Sequence, residues 1–152
     1  AADDLVNKIN NLTEKEHTDE FSVGRIRNDL QESMEENAKI FRSEETLSKQ
    51  TEILENLRER YENVTIFDKG KVFNTELMEA IELDYLLDMS ESTVASALAR
   101  KESRGAHSRQ DFPDRDDGNF MKHSFAFKNG NSANLRYKDV ELGKYEPMER
   151  KY

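Results

Sequence analysis

Apolar residues recur every three or four positions through most of the first hundred residues, and that spacing predicts helices. Leu5, Ile9 and Leu12 make a short stripe behind the acidic starters Asp3 and Asp4. After a polar break over 13–20, a longer helix is predicted from Ser22, with Val23, Ile26, Leu30, Met34, Ala38 and Phe41 on one face. Ser43 reads as an N-cap, because its hydroxyl can accept from a free first-turn amide, and Glu44 and Glu45 suit the positive end of a helix dipole. The helix behind it carries Leu47, Leu54, Leu57, Tyr61 and Val64. A connector over 65–72 has a plausible turn at Gly70. Asn74 then caps a third helix towards Ser103, roughly 40 Å long at the usual rise.

That third helix is two-faced along its length. Leu77, Met78, Ile81, Leu83, Tyr85, Leu86, Leu87 and Met89 make its first half apolar nearly all round, whereas Ser92, Ala95, Ser96, Ala97 and Ala99 make its second half small. An all-round apolar helix needs cover on every side, and small residues let another backbone come close. Beyond Ser103 the period changes to two: His123, Phe125 and Phe127 alternate as on the buried face of a half-buried strand. Asn129-Gly130 is a hairpin signal, and Leu135 and Tyr137 alternate again behind it. The expected fold is mainly α. A three-helix bundle of up-down, spectrin-repeat-like helices spans 1–103, and an extended, irregular tail with a short β-hairpin spans 104–152, the two forming one structural domain with a docking face.

Composition narrows the partners. The 152 residues are 35% apolar and 36% charged, with a formal net charge of −9. Such a chain repels a phosphate backbone, so nucleic-acid binding is not expected. No stretch reaches the ~18 apolar residues of a membrane span, so direct membrane insertion is not expected either. The absence of cysteine excludes disulfides, thiolate metal ligands and a cysteine nucleophile. Three scattered histidines offer no metal-binding motif; His17, near Asp19 and Glu20, reads as a loop residue. Ser103 and Ser108 have no glycine elbow and no base, so nucleophilic catalysis is not expected.

The densest chemistry is Arg100-Lys101-Glu102-Ser103-Arg104-Gly105-Ala106-His107-Ser108-Arg109, with Asp111-Phe112-Pro113-Asp114-Arg115-Asp116-Asp117 behind it. A cationic stretch followed by an acidic one suits an ionic network that pins an irregular loop, with Arg forks serving carboxylates and backbone carbonyls. Gly105 would permit the turn where the long helix stops. Arg104, His107, Arg109 and Asp111 are the residues expected to act, at an interdomain contact; His107 reads as an interface histidine before a proton donor. No catalytic, cofactor-binding or metal-ligating residue is expected in this chain.

These two segments, with Asn119-Phe120-Met121-Lys122-His123-Ser124 after them, resemble the C-terminal signature of the succinate dehydrogenase/fumarate reductase flavoprotein family. The stretch from Leu77 to Ala99 is similar to the long last helix of that family's C-terminal domain, and Tyr145 to Tyr152 is similar to its tail. L-aspartate oxidase shares the Arg-x-Glu-Ser-Arg-Gly and Asp-Phe-Pro elements, but the segment after Asp117 looks more like the dehydrogenase/reductase branch. The resemblance implies a larger subunit that oxidises succinate to fumarate with covalent FAD and passes electrons to an iron–sulfur subunit. Fumarate reductase and L-aspartate oxidase are the alternatives, as is a stand-alone helical interaction module. It implies as partners the subunit's own FAD-binding and substrate domains and the iron–sulfur subunit. It also implies a cytoplasmic place, peripheral on the inner face of the membrane, or the matrix face in a mitochondrion. The parts that bind FAD and dicarboxylate belong upstream, so this chain alone is expected to bind no flavin and to be inactive.

Overall fold

A computed structural model describes residues 2–70, 72–130 and 132–148, without the side chains of Ala2, Asp4 and Leu5. The side chain of Leu5 in the first stripe and the last four residues of the tail therefore lie outside what is described. The helices are α1 (Ala2–Glu14), α2 (Val23–Asn37), α3 (Glu44–Glu62), α4 (Thr75–Ala99) and the single-turn α5 (Asp117–Phe120). The strands are β1 (Phe41–Arg42), β2 (Ser108–Arg109), β3 (Lys122–Asn129) and β4 (Ser132–Asp139).

The 3.6-residue stripes become the seams of an antiparallel bundle. Val23, Ile26 and Leu30 of α2, Leu47, Leu54 and Leu57 of α3, and Ala80, Leu83, Leu87 and Val94 of α4 are buried together. Each large side chain in this group contributes roughly 1.5–3 kcal/mol by leaving water. Polar contacts along the seams set the direction. Asn37 at the end of α2 donates to Gln50 near the start of α3 at 3.0 Å, and Arg60 at the other end reaches back to Asp29 at 2.7 Å. Tyr61 of α3 donates to the Ala80 carbonyl of α4 at 2.9 Å. Arg58 spreads over one flank of α4, meeting Asp84, Asp88 and Glu91 at 2.5, 2.6 and 2.8 Å. Lys8 of α1 completes that cluster through Asp84, and Lys128 of the hairpin through Asp88.

The helix starts follow their caps. Ser43 accepts from the Thr46 amide while the Thr46 hydroxyl accepts from the Ser43 amide, a reciprocal capping box. Asn74 caps α4 through the Leu77 amide at 2.8 Å. The ends differ from the expectation. α2 stops at Asn37, so Phe41 leaves the helical face and stands 68% exposed in β1. α4 stops at Ala99, because Arg100 turns extended; Gly105 serves a separate turn further on, at φ +59°. Met78, Tyr85 and Met89 are more than half exposed, so the first half of α4 is covered on one side rather than all round.

The hairpin pairs as the alternation and Asn129-Gly130 imply, with Lys122 opposite Asp139 and Asn129 opposite Ser132. Its faces are inverted. Ser124, Ala126, Ala133 and Leu135 turn inward, and His123, Phe125 and Phe127 turn out, contrary to the expected half-burial of His123 with its aromatic neighbours. The inward positions meet the small second half of α4, where Ala133 and Ser132 line a cavity with Val94 and Ala95. A parallel pairing joins distant parts of the chain. β1 lies beside β2, Phe41 against Ser108 and Arg42 against Arg109.

Candidate functional site

The loop over 100–121 has little apolar content and is built on charges that find partners at fixed positions. Glu102 has a fully buried side chain. It accepts from Arg100 at 2.6 Å, from Arg104 at 2.8 and 3.0 Å, and from the Asp116 amide at 2.8 Å. Burial alone would raise its pKa; Arg104, the Asp116 amide and Arg100 more than offset that and hold it below the ordinary value. Arg104 also meets Asp117 at 2.6 Å, and Arg115 grips the same carboxylate in a fork. The Arg115 and Arg104 hydrogen bonds lower Asp117 to about 2.

Arg109 is the centre of the second half. Its side chain is wholly buried, forked onto Asp111 at 2.8 and 2.7 Å and bonded to Glu44 at 3.2 Å. Its remaining donors serve the Ala97 and Leu98 carbonyls at 3.0 and 3.1 Å, the free carbonyls at the end of α4. A guanidinium there also meets the negative end of the helix dipole. Asp111 in turn accepts from the Glu44 amide at 2.8 Å, at the positive start of α3. The Arg109 hydrogen bonds hold the Asp111 carboxyl far below the usual range. Arg109 and Asp111, two positions apart, thus close two helix ends that belong to different helices.

His107 stands at the edge of this network. Its Nε2 bonds the Arg100 carbonyl at 3.1 Å and its Nδ1 lies 3.0 Å from an Arg42 nitrogen. A carbonyl only accepts and a guanidinium only donates, so the ring must be neutral with its proton on Nε2. Burial, then the charges of Arg42, Arg109 and Arg100, depress its pKa, in keeping with that state. Both ring nitrogens are thus engaged within this chain. Arg100 fastens the hairpin, donating to the carbonyls of Phe120 and Lys122 at 2.9 and 2.7 Å and to Ser124 at 3.1 Å.

Of the expected residues, the structure brings Arg109 and Asp111 together, turns Arg104 to Glu102 and Asp117, and sets His107 between Arg42 and Arg100. Glu102 carries more of the loop than its sequence neighbours suggested; the signal was its place midway between Arg100 and Arg104. Arg42 and Glu44 had no signal near the motif, lying far from it in sequence. His17 joins Asp19, Thr65 and the edge of Phe67, as a loop residue does. No group of His, Asp and Glu able to hold a metal occurs among the described residues.

Among the described residues no strand runs through a glycine-rich turn into a helix, and the starts of α3 and α4 are occupied by Ser43, Asp111 and Asn74.

Residues 27–152 match the family described as "Fumarate reductase flavoprotein C-term". The fumarate reductase flavoprotein subunit of Haemophilus influenzae is 38% identical over 152 residues, covering 99% of this chain and 25% of that one. The succinate dehydrogenase flavoprotein subunit of Rickettsia bellii is 42% identical over 123 residues, covering 80% of this chain and 21% of that one. Among solved structures, the E. coli quinol fumarate reductase chain superposes with a TM-score of 0.89 at 36% identity, covering 97% of this chain and 26% of its own. The Mycobacterium smegmatis Sdh1 complex gives 0.77 at 26% identity, covering 90% of this chain. The chain thus spans about a quarter of the length of the relatives it matches. The capped helical bundle, the arginine-pinned loop and a match over most of the length place this chain in the fumarate reductase/succinate dehydrogenase flavoprotein family, as its C-terminal domain.

Proposed function

We propose that this chain is the C-terminal, structural portion of a succinate dehydrogenase flavoprotein subunit, which oxidises succinate to fumarate with covalent FAD and passes electrons to an iron–sulfur subunit. The observation that carries the reading is the family match over residues 27–152. Flavin and dicarboxylate are bound by the remaining polypeptide, and the complex is peripheral on the inner face of a membrane. In this reading residues 1–103 and 104–152 act as one rigid unit, supported by the β1–β2 pairing. Arg104, His107, Arg109 and Asp111 shape the loop against the neighbouring domains.

The reverse reaction, fumarate reduction, is the second reading. The higher TM-score and identity of the fumarate reductase structure over the Sdh1 complex favour it.

Purification of the native polypeptide that contains Glu102 to His107 tests the proposal. A chain several times heavier than 17.7 kDa, carrying bound flavin and exchanging electrons with succinate or fumarate, is expected. A free, flavin-less chain of 17.7 kDa would sink it. The ratio of succinate oxidation to fumarate reduction by that enzyme decides between the two directions.

A further inference from the structure

Between the end of α4, the β1–β2 pair and the hairpin lies an open groove of about 560 Å³, lined by Arg42, Arg100, His107, Lys122 and His123 together with small and hydroxyl residues. No carboxylate lines it, in a chain whose net charge is −9. Arg100 is already committed to Glu102. Arg42 is not. Its Nε donates to the carbonyls of Ala38 and Lys39, its Nη1 faces His107, and no carboxylate pairs with it among the described residues. Burial weakens its hold on its proton, the sign of a cation stripped of water without an anion in return. Lys122 lies over the rings of Phe120 and Tyr137 at 5.3 and 4.3 Å; its cross-strand neighbour is Asp139, but no carboxylate among the described residues is within ion-pair distance of it.

The surface beside the groove shares this imbalance. Phe125 and Phe127 are 45% and 47% exposed on the outer hairpin face. Their cross-strand neighbours are Arg136 and Asn134, with Arg136 stacked 4.9 Å over Phe127. Residues 122–139 hold four cations and one carboxylate, Asp139; of the four, Lys128 is paired with Asp88 of α4. A half-buried cation lacking an anion costs free energy, and exposed aromatics next to it mark a surface made to be covered. A free anion of a few atoms would satisfy the groove and leave the phenylalanines bare. A peptide segment with an acidic residue covers both.

We propose that this groove seats an aspartate or glutamate side chain from the part of the flavoprotein polypeptide that lies outside these 152 residues, and that the same segment covers Phe125 and Phe127. The inference rests on the reading of this chain as one portion of a longer flavoprotein. It names the surface that faces the remainder.

The test is zero-length carbodiimide coupling of amines to carboxylates in the intact holoenzyme, read by peptide mass spectrometry, with hydrogen exchange of the hairpin in parallel. Lys122 is expected to couple to an Asp or Glu of the remaining polypeptide. Lys122→Arg, which keeps the charge but offers no reactive amine, loses that cross-link and keeps slow hairpin exchange. Arg42→Gln with Lys122→Gln loses the cross-link and speeds exchange over 122–127. Coupling of Lys122 only within this chain, to a second copy or to a separate subunit overturns the inference. So does exchange unaltered by the double variant. Should the double variant fail to fold, the parent and Lys122→Arg still decide. An active flavoenzyme with Lys122 coupled elsewhere sinks this inference alone; a native chain without flavin sinks the functional reading beneath it.

Discussion

The bundle and the loop that follows it are held by opposite means. Across α2, α3 and α4 the buried residues are mostly aliphatic, and charges sit along the seams, as Arg58 does against Asp84, Asp88 and Glu91. In the loop over 100–121 the buried residues are Glu102 and Arg109, both with fully buried side chains. An aliphatic core loses burial and gains a cavity when one member is truncated, a cost that partial collapse softens. A charged core leaves unpaired groups instead: without Arg109 the Ala97 and Leu98 carbonyls lose their donor, and without Glu102 the half-buried Arg100 and Arg104 lose their counter-charge. The loop thereby depends on the geometry of a few ions, whereas the bundle depends on the volume of many side chains.

The sharpest test of that contrast is Arg109→Ala, which strips five hydrogen bonds, including those to Asp111, Glu44 and the end of α4. A loss of about 3–5 kcal/mol is expected in equilibrium urea unfolding. A loss under 1 kcal/mol would show that the loop is held by something other than its ions. Next comes Leu87→Ala in the aliphatic core, at about 2–4 kcal/mol by the same method. Should Leu87→Ala cost clearly more than Arg109→Ala, the ranking of the two regions reverses. Smaller again is the exposed pair Lys39–Glu35. Lys39→Ala should shift stability by no more than about 0.5 kcal/mol, and a larger effect would mean that the surface charges of the bundle behave like those of the loop.

Acid should separate the regions in stages. His107 is held below its ordinary 6.5, so the unfolded chain takes up its proton first, and stability falls as pH drops below about 6.5. Glu102, Asp111 and Asp84 are all lowered, so their contribution is full above their ordinary values and is lost only as pH falls further, through and below about 4. Unfolding followed against pH should show a shallow early stage that His107→Gln removes, and a steep later one that it leaves in place. A single stage in both proteins would count against the neutral, doubly bonded ring.

Much of the bundle was legible in the sequence because its rule is local. Spacing of three and four found the stripes, and Ser43 and Asn74 marked two helix starts. Phe41 misled, since apolarity at the right spacing does not show that Asn37 will end the helix by bonding Ser33 and Gln50. The hairpin was legible as a hairpin, but its facing was not. Aromatic residues usually point inward, and here Ser124 and Ala126 turn to the small second half of α4 instead. The loop's ionic character was evident in its composition. Its partners Arg42 and Glu44 were not, because they lie 65 residues from His107 and Arg109. No local pattern announces a parallel pairing of two-residue strands.

The clasp that Arg109 and Asp111 place across the ends of α4 and α3 also bears on the order of events during synthesis. Both helices are complete in the nascent chain before residue 109 is made. Until then the last carbonyls of α4 and the first amide of α3 must turn to water. The helices can form early, but their corner locks only when the loop arrives, so a chain cut short between Ala99 and Arg109 would hold a bundle with an open end, exposed to chaperones and proteases.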